Sequence, residues 1–468
     1  MAFSMAWPGD AVQGGAGDGQ AHGMLARFRG ELYRCFARRG DALFELCDAV
    51  LCRPERVHML AELSLEPECR RGHGAVYDAV NAGRVQVARL RRALAGLPLP
   101  AWDDGRIRLA ADVSNWLRPD AATSAERLFC HCYARGKGNA QMIPGWPYSV
   151  IAALEPGRTS WTLPLDAVRP GPADDAAAVT AAQVREVTGR IIAAGHWRDG
   201  DPDIVVIFDA GYDLTRLAWL LADLPVEVPG RLRSDRVMYF PAPPRVPGTN
   251  GRPLRHGAAF KLADQRSWPV PAAAAITETT RYGTARAMAR GRLHQQLAGR
   301  AGWEDHDGEL PIVEGTVIRL AVDRLPGDRN PEPLWLWSSR AGTSAAEVDR
   351  AWQARSSAAS TSSTCSGSSS RLLACYLSFC LRLLFLGSAR LTVLPTSWQV
   401  AGCRFFDPGG RPGPGLPGFG ALAGQGSAWR MVRNPRRTRA GVSRPGGQGR
   451  CQGSRMSAAR WRARRSWA

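Results

Sequence analysis

Hydrophobic and polar positions follow a helical period in the first hundred residues and a strand period after it. Val87, Leu90, Leu94 and Leu97 recur three and four apart, which puts them on one helix face, with Arg84, Arg89, Arg91 and Arg92 on the other sides. Cys69–Ala82 reads as a shorter helix ended by Gly83. Two short helices joined at a glycine and carrying arginines fit a helix-turn-helix reader of DNA, and equally a helical domain with a solvated basic face. Residues 1–23 are Gly-rich and expected to be disordered, so the helical domain is set at 24–98. Beyond Leu97-Pro98-Leu99-Pro100 the pattern changes. Arg106–Val113 alternates apolar and polar as a half-buried strand does, and Arg127–Ala134 and Met142–Leu154 read as two more strands. Ala176–Ala194 has helical spacing, Ile204–Phe208 is a continuous apolar run suited to a central strand, Asp213–Asp223 reads as a helix and Val226–Leu232 as a strand.

Three antiparallel-like strands followed by helix, strand, helix, strand is the order of a ribonuclease-H-like mixed sheet. The expected fold class is therefore mixed α+β and α/β, with that sheet over 101–232. A closing helix should follow. Residues 233–343 instead carry Pro, Gly and short strands such as Glu314–Val322 and Leu334–Trp337, which suggests a β-rich insertion. The closing helix starts at 344–354, and 355–468 is expected to be a largely disordered basic tail.

The candidate chemistry lies at two strand ends. Asp112 is placed at the end of the first strand and Asp209 just after the central one, in VVIFDAGYD, where Gly211 would let the chain turn away. Either acid alone reads as a turn or cap residue. Together, in this sheet order, they would be neighbours able to hold a hard divalent cation, Mg²⁺ or Mn²⁺, through oxygen.

Several segments resemble DDE-superfamily transposases of bacterial insertion sequences. They are the residues around Asp112, RLFCHCYARGKGNAQMIPGWPYS (127–149), GRTSWTLPLDAVR (157–169), VVIFDAGYDLTRLAWLLADLPVEVPGRLRSDRV (205–237), HDGELPIVEGTVIRL (306–320) and PLWLWSS (333–339). The resemblance runs from about residue 40 to 354. It implies metal-dependent phosphodiester cleavage and strand transfer, with double-stranded DNA, both transposon ends and target, as partner. It makes Asp112 and Asp209 the first two acids of a catalytic triad and places Arg135, Lys137, Arg231 and Arg233 to meet phosphates. Arg84 and Arg91 of the helical domain are further candidates. Trp146 and Tyr148 fit either a base-stacking role or the core.

The family's third acid is a Glu on the closing helix, in a phrase like RFDLEHTFRLFKQ. Here Ser344–Gln353 begins that helix, but ARSSAASTSSTCSGSSSRLLA follows, and no Glu occurs after Glu347. Reading GC-rich codons compatible with Arg355–Arg371 one base out of frame gives FLRRFDLEHVLRLFKQ. The sequence therefore suggests a one-base frame change at Ala354/Arg355, with the missing Glu codon straddling Ser362 and Ser363.

Charge fits that reading. Residues 355–468 hold 18 Arg, no Lys and one acid, Asp407: a net +17 of the chain's +19, which leaves +2 for the first 354 residues. Out-of-frame GC-rich DNA yields such a composition; the rival is a genuine nucleic-acid-binding tail. Six of the 11 cysteines precede Arg355, and Cys130 and Cys132 around His131 lack the partner motif of a zinc site. The N-terminus lacks a basic and apolar leader pattern, and Leu372–Leu386 is interrupted by Arg382, so the expectation is a cytoplasmic, nucleoid-associated protein away from membranes. A homodimer stays open. Two alternatives complete the reading: a non-catalytic DNA-binding remnant that competes for transposon ends, and a nuclease that recruits Asp305, Asp307 or Glu309 as a replacement acid.

Overall fold

The computed structural model describes residues 16–342, apart from 54–56, 58, 101, 121–122, 134–139, 157–161, 249, 280–281, 300, 305 and 325–330. The first helix, α1 (Ala16–Arg34), begins inside the stretch expected to be disordered. It is followed by β1 (Phe36–Arg38), α2 (Gly40–Cys52), α3 (Leu60–Leu63), α4 (His73–Ala82), β2 (Arg84–Val85) and α5 (Val87–Ala95). Leu90 and Leu94 are fully buried and join Phe28 and Leu32 of α1 in the cluster that also contains the inner face of the main sheet. The apolar stripe read from the sequence therefore docks these helices on the sheet. β2 pairs with β1, so a strand interrupts the connection between α4 and α5.

The central sheet uses β3 (Arg108–Leu117), β4 (Leu128–Tyr133), β5 (Ala140–Leu154) and β6 (Thr162–Val168), then, after helix α6 (Ala176–Ala193), β7 (Ile204–Phe208). Helix α7 (Leu214–Leu220), β8 (Val226–Glu227) and β9 (Pro229–Leu232) follow. β3 lies antiparallel to β5 and parallel to β7, β7 is parallel to β9, and β6 flanks β5. The order β6-β5-β3-β7-β9 is that of a ribonuclease-H-like sheet, and the expected fold class holds.

The third strand of that order differs from the expectation. It is β6, whereas β4 forms a ribbon with the outer half of β5. Pro164 and the buried Asp166 break the apolar pattern of β6, and Pro is tolerated because the strand lies at an edge.

Local chemistry explains the helices behind the sheet. The Asp175 carboxylate caps α6 by accepting from Ala177 and Ala178 N–H at 3.0 and 3.4 Å. Its buried residues Thr180, Val184, Val187 and Ile191 recur at three and four. Gln183 on the same helix donates from Nε2 to the Ser149 carbonyl at 3.0 Å and accepts from the Ser149 hydroxyl at 2.7 Å, which fixes α6 on β5.

The insertion contributes β10 (Val237–Pro241), β11 (His256–Lys261), β12 (Ala273–Thr279), β13 (Gly283–Leu293), β14 (Gly315–Val322) and β15 (Leu334–Ser338). Its strands extend the core sheet: β15 pairs antiparallel with β9, and β14, β13 and β12 follow outward. β10 and β11 form a separate pair, held to the end of β13 by the Tyr239–His294 bridge. There, Nδ1 of His256 and Nε2 of the fully buried His294 share a hydrogen bond of 2.8 Å.

Candidate active site

β7 is buried along its whole length, as its unbroken apolar run requires. In its parallel register with β3, Ala111 stands opposite Phe208, so the next residue on each strand is an acid: Asp112 and Asp209. Side chains alternate across a sheet. Both carboxylates therefore fall on the face of Ala110 and Ile207, opposite the one covered by α6. β3 does not end at Asp112, as expected, but continues to Leu117 because β5 accompanies it that far. Asp112 is thus a mid-strand residue level with the end of β7, while Asp209 begins the turn into α7.

Both acids are exposed. The Asp112 Oδ1 accepts from the Val113 N–H at 2.8 Å, which orients the carboxylate. Protein atoms around the carboxyl strip enough water from it to raise its pKa, the Val113 hydrogen bond opposes the rise, and the charge of Asp209 adds to it. The two acids thus lie close enough for the charge of one to act on the other. Their oxygen donors fit a hard divalent ion. Among the described residues no group of three His, Cys, Asp or Glu side chains that could hold a metal ion converges.

Tyr212 was not legible as part of this site. The turn that joins Asp209 to Tyr212 (Tyr212 N–H to Asp209 C=O, 3.3 Å) tucks its ring against Phe208, 5.0 Å between centroids. Burial, and then the charges of Asp112 and Asp209, push its phenol well above the usual range, while Ser149 pulls the other way. Its place three residues after Asp209 was the available signal. Gly211 does not have the role expected of it. Its φ is not positive and a Cβ there would meet nothing within 4 Å. The glycine that the site needs is Gly230, where a Cβ would lie 2.5 Å from the Leu214 side chain and 3.0 Å from the Phe208 carbonyl oxygen. Asp213 caps α7 by accepting from Arg216 N–H at 3.1 Å.

The basic candidates separate. Gly230 pairs with Phe208, so the exposed Arg231 stands level with Asp209. Arg233 pairs with Asp235 at 3.0 Å and lines a hollow of about 420 Å³ with Arg236, Val237, Tyr239, Gln295 and Gln296. Arg84 is exposed on β2, on another part of the chain from the acids. Arg91 is engaged internally: its Nε lies 2.8 Å from the fully buried Asp166, which also accepts from Arg190 at 2.5 Å. Arg135, Lys137, Asp305, Ser362 and Ser363 lie outside the described residues. Glu309 forms an ion pair with Arg255, and Asp307 is exposed. No described helix is long and apolar enough to cross a membrane.

No curated protein is similar enough to count as a match. The family model described as DDE superfamily endonuclease matches residues 31–296, which contain helices α2 to α7, both acids, Arg231 and the first half of the insertion. More than half of the chain carries that match, and the chain belongs to the DDE superfamily of endonucleases.

Proposed function

We propose that this chain is a DDE transposase, built to cut double-stranded DNA at transposon ends and join it to a target, and that its own metal site lacks one ligand. The observation that supports the reading is the juxtaposition of Asp112 and Asp209 on one open sheet face. These two residues would hold Mg²⁺ or Mn²⁺. A bound ion would supply an activated water or 3′-hydroxyl and stabilise the leaving oxygen of the phosphodiester.

The chain's own groups divide the remaining work. Val113 N–H directs the Asp112 carboxylate. Tyr212 packs on Phe208 beside the two acids. Arg231, level with Asp209, would take a phosphate of the bound strand and set its register, since backbone contacts position DNA without reading its sequence. Arg233 would extend that track. Arg91 is left out, because its guanidinium is committed to Asp166.

The missing ligand is the Glu expected near Ser362 and Ser363. The residue pattern of Arg355–Arg371 supports its loss through a one-base frame change, and the lone acid among 18 arginines in the tail is consistent with it. Sequencing the coding DNA gives a GAG codon in the alternative frame at Ser362/Ser363 if this is right. The functional test is strand cleavage of DNA carrying the element's end repeats, in Mg²⁺ or Mn²⁺. This chain should cleave little, a frame-restored chain should cleave readily, and Asp112→Asn should abolish that recovered activity. Robust cleavage by this chain as it stands would refute the loss. A second reading follows from the incomplete pair of acids: a remnant that occupies transposon ends without cutting them. End-specific binding by this chain in the absence of cleavage is its mark.

A further inference from the structure

The alternation that puts Asp112 on the open face carries on along β3 to Ser114 and Trp116, and across the ladder to Tyr148 and Trp146. Trp116 pairs in register with Trp146, and their rings meet edge to face, with centroids 6.1 Å apart. Tyr148, 2% exposed, lies 6.2 Å from Trp116 and supports it from the side of the acids. Both tryptophans are half-buried. None of the three belongs to the hydrophobic clusters formed by the described residues.

The arrangement is built in two ways. The Trp146 Nε1–H donates to the Ala125 carbonyl at 3.2 Å and fixes the indole. Gly145 lets β5 approach β3 closely, since a Cβ there would lie 2.3 Å from the Trp116 carbonyl oxygen. Four residues of strand separate Trp116 from Asp112, about 13 Å at the rise of a β-strand. That is roughly four base steps at the 3.4 Å rise of duplex DNA, and fewer for a strand drawn out of the stack. Of the residues between them, Val113 and Ser114 are exposed and Asn115 is half-buried.

We propose that Trp116, held by Trp146 and Tyr148, is a stacking platform for a DNA base a few nucleotides from the phosphodiester that Asp112 and Asp209 address. It fixes the strand's register, and it accepts any base because every base offers a π-face. The proposal rests on the DNA-acting reading above.

The test uses the full chain, EDTA in place of metal, salt high enough to weaken contacts to the basic tail, and a 20-nucleotide single-stranded DNA carrying one central 2-aminopurine. The natural chain should bind and quench the 2-aminopurine. Trp116→Leu should weaken binding by about tenfold and lose most of the quench, while Trp116→Phe, which keeps a ring in place, should retain most of both. A circular dichroism melt of each variant that matches the natural chain separates this from misfolding. If Trp116→Leu misfolds, the same comparison is made between Trp146→Phe and Trp146→Leu. Binding and quenching unchanged in the folded Leu variant would overturn the platform and leave the DNA-acting reading intact. A natural chain that fails to bind the oligonucleotide would overturn both.

Discussion

Replacing Asp166 by Ala should cost this protein more than any single change at its exposed acids. Asp166 is fully buried, between Arg91 of α5, at 2.8 Å, and Arg190 of α6, at 2.5 Å. Arg91 also donates to the Ala167 carbonyl at 3.2 Å, so one carboxylate holds the N-terminal helices, the edge strand β6 and the helix behind the sheet in one arrangement. Deleting it leaves two guanidinium groups facing each other. Among the described residues, the other acid paired with them is the exposed Glu186, at 3.6 and 3.4 Å. Stripping one partner from a buried ionic group costs about 3–5 kcal/mol. The arginine side chains keep 20% and 16% of their exposure, so water relieves part of the repulsion and the low end, about 3 kcal/mol, applies. At about 2 °C per kcal/mol for a domain of roughly 250 residues, the thermal midpoint should fall by about 6 °C. Differential scanning calorimetry reads this directly. Converting Arg91, Asp166 and Arg190 together to well-packed apolar residues should recover much of the loss, as burying no charge removes the desolvation cost. A midpoint for Asp166→Ala within about 1–2 °C of the natural chain would show that this carboxylate does not hold the three elements together.

A pH effect follows from the insertion. Burial, and then the partner's positive charge, lower the pKa of His294, and burial together with Arg255 lowers that of His256; Glu314 opposes the shift at His294. Folded pKa values below the unfolded value near 6.5 mean that the unfolded chain binds protons first. The stabilising contribution of the pair is therefore complete above about pH 6.5 and is lost as the pH falls through the folded values. Melts between pH 8 and 5 should show the midpoint falling, and the double variant His256→Gln/His294→Gln should flatten that fall; an equal slope in both proteins would count against the pair as its source.

Much of the sheet could be read from residues alone. Ile204–Phe208 announced β7 because a strand covered on both faces must be apolar throughout, and the capped, Ala-rich α6 ran to within one residue of its expected end. What escaped was set by partners that the local pattern cannot show. β6 hid behind Pro164 and Asp166, each tolerated for a tertiary reason. The reach of β3 past Asp112 depends on β5 pairing alongside it as far as Leu117. Arg91 looked like a surface base on its helix face until Asp166, distant in the sequence, arrived beneath it. Asp112 and Asp209 were legible as a pair through strand order. Tyr212 and Gly230 were not, since their contributions lie in the packing behind the acids and against Leu214.

Asp112 and Asp209 are proposed to form two-thirds of a divalent-metal site. Mn²⁺ titration followed by electron paramagnetic resonance tests it most directly, on this chain, on the frame-restored chain that regains the Glu near Ser362 and Ser363, and on the Asp112→Asn form of each. Binding should be weak in this chain, tighten by at least about tenfold on restoring the frame, since even outer-shell partners of a metal change affinity by that much, and be lost in both Asp112→Asn forms. Equal affinity with and without the restored frame, or binding indifferent to Asp112→Asn, would contradict it.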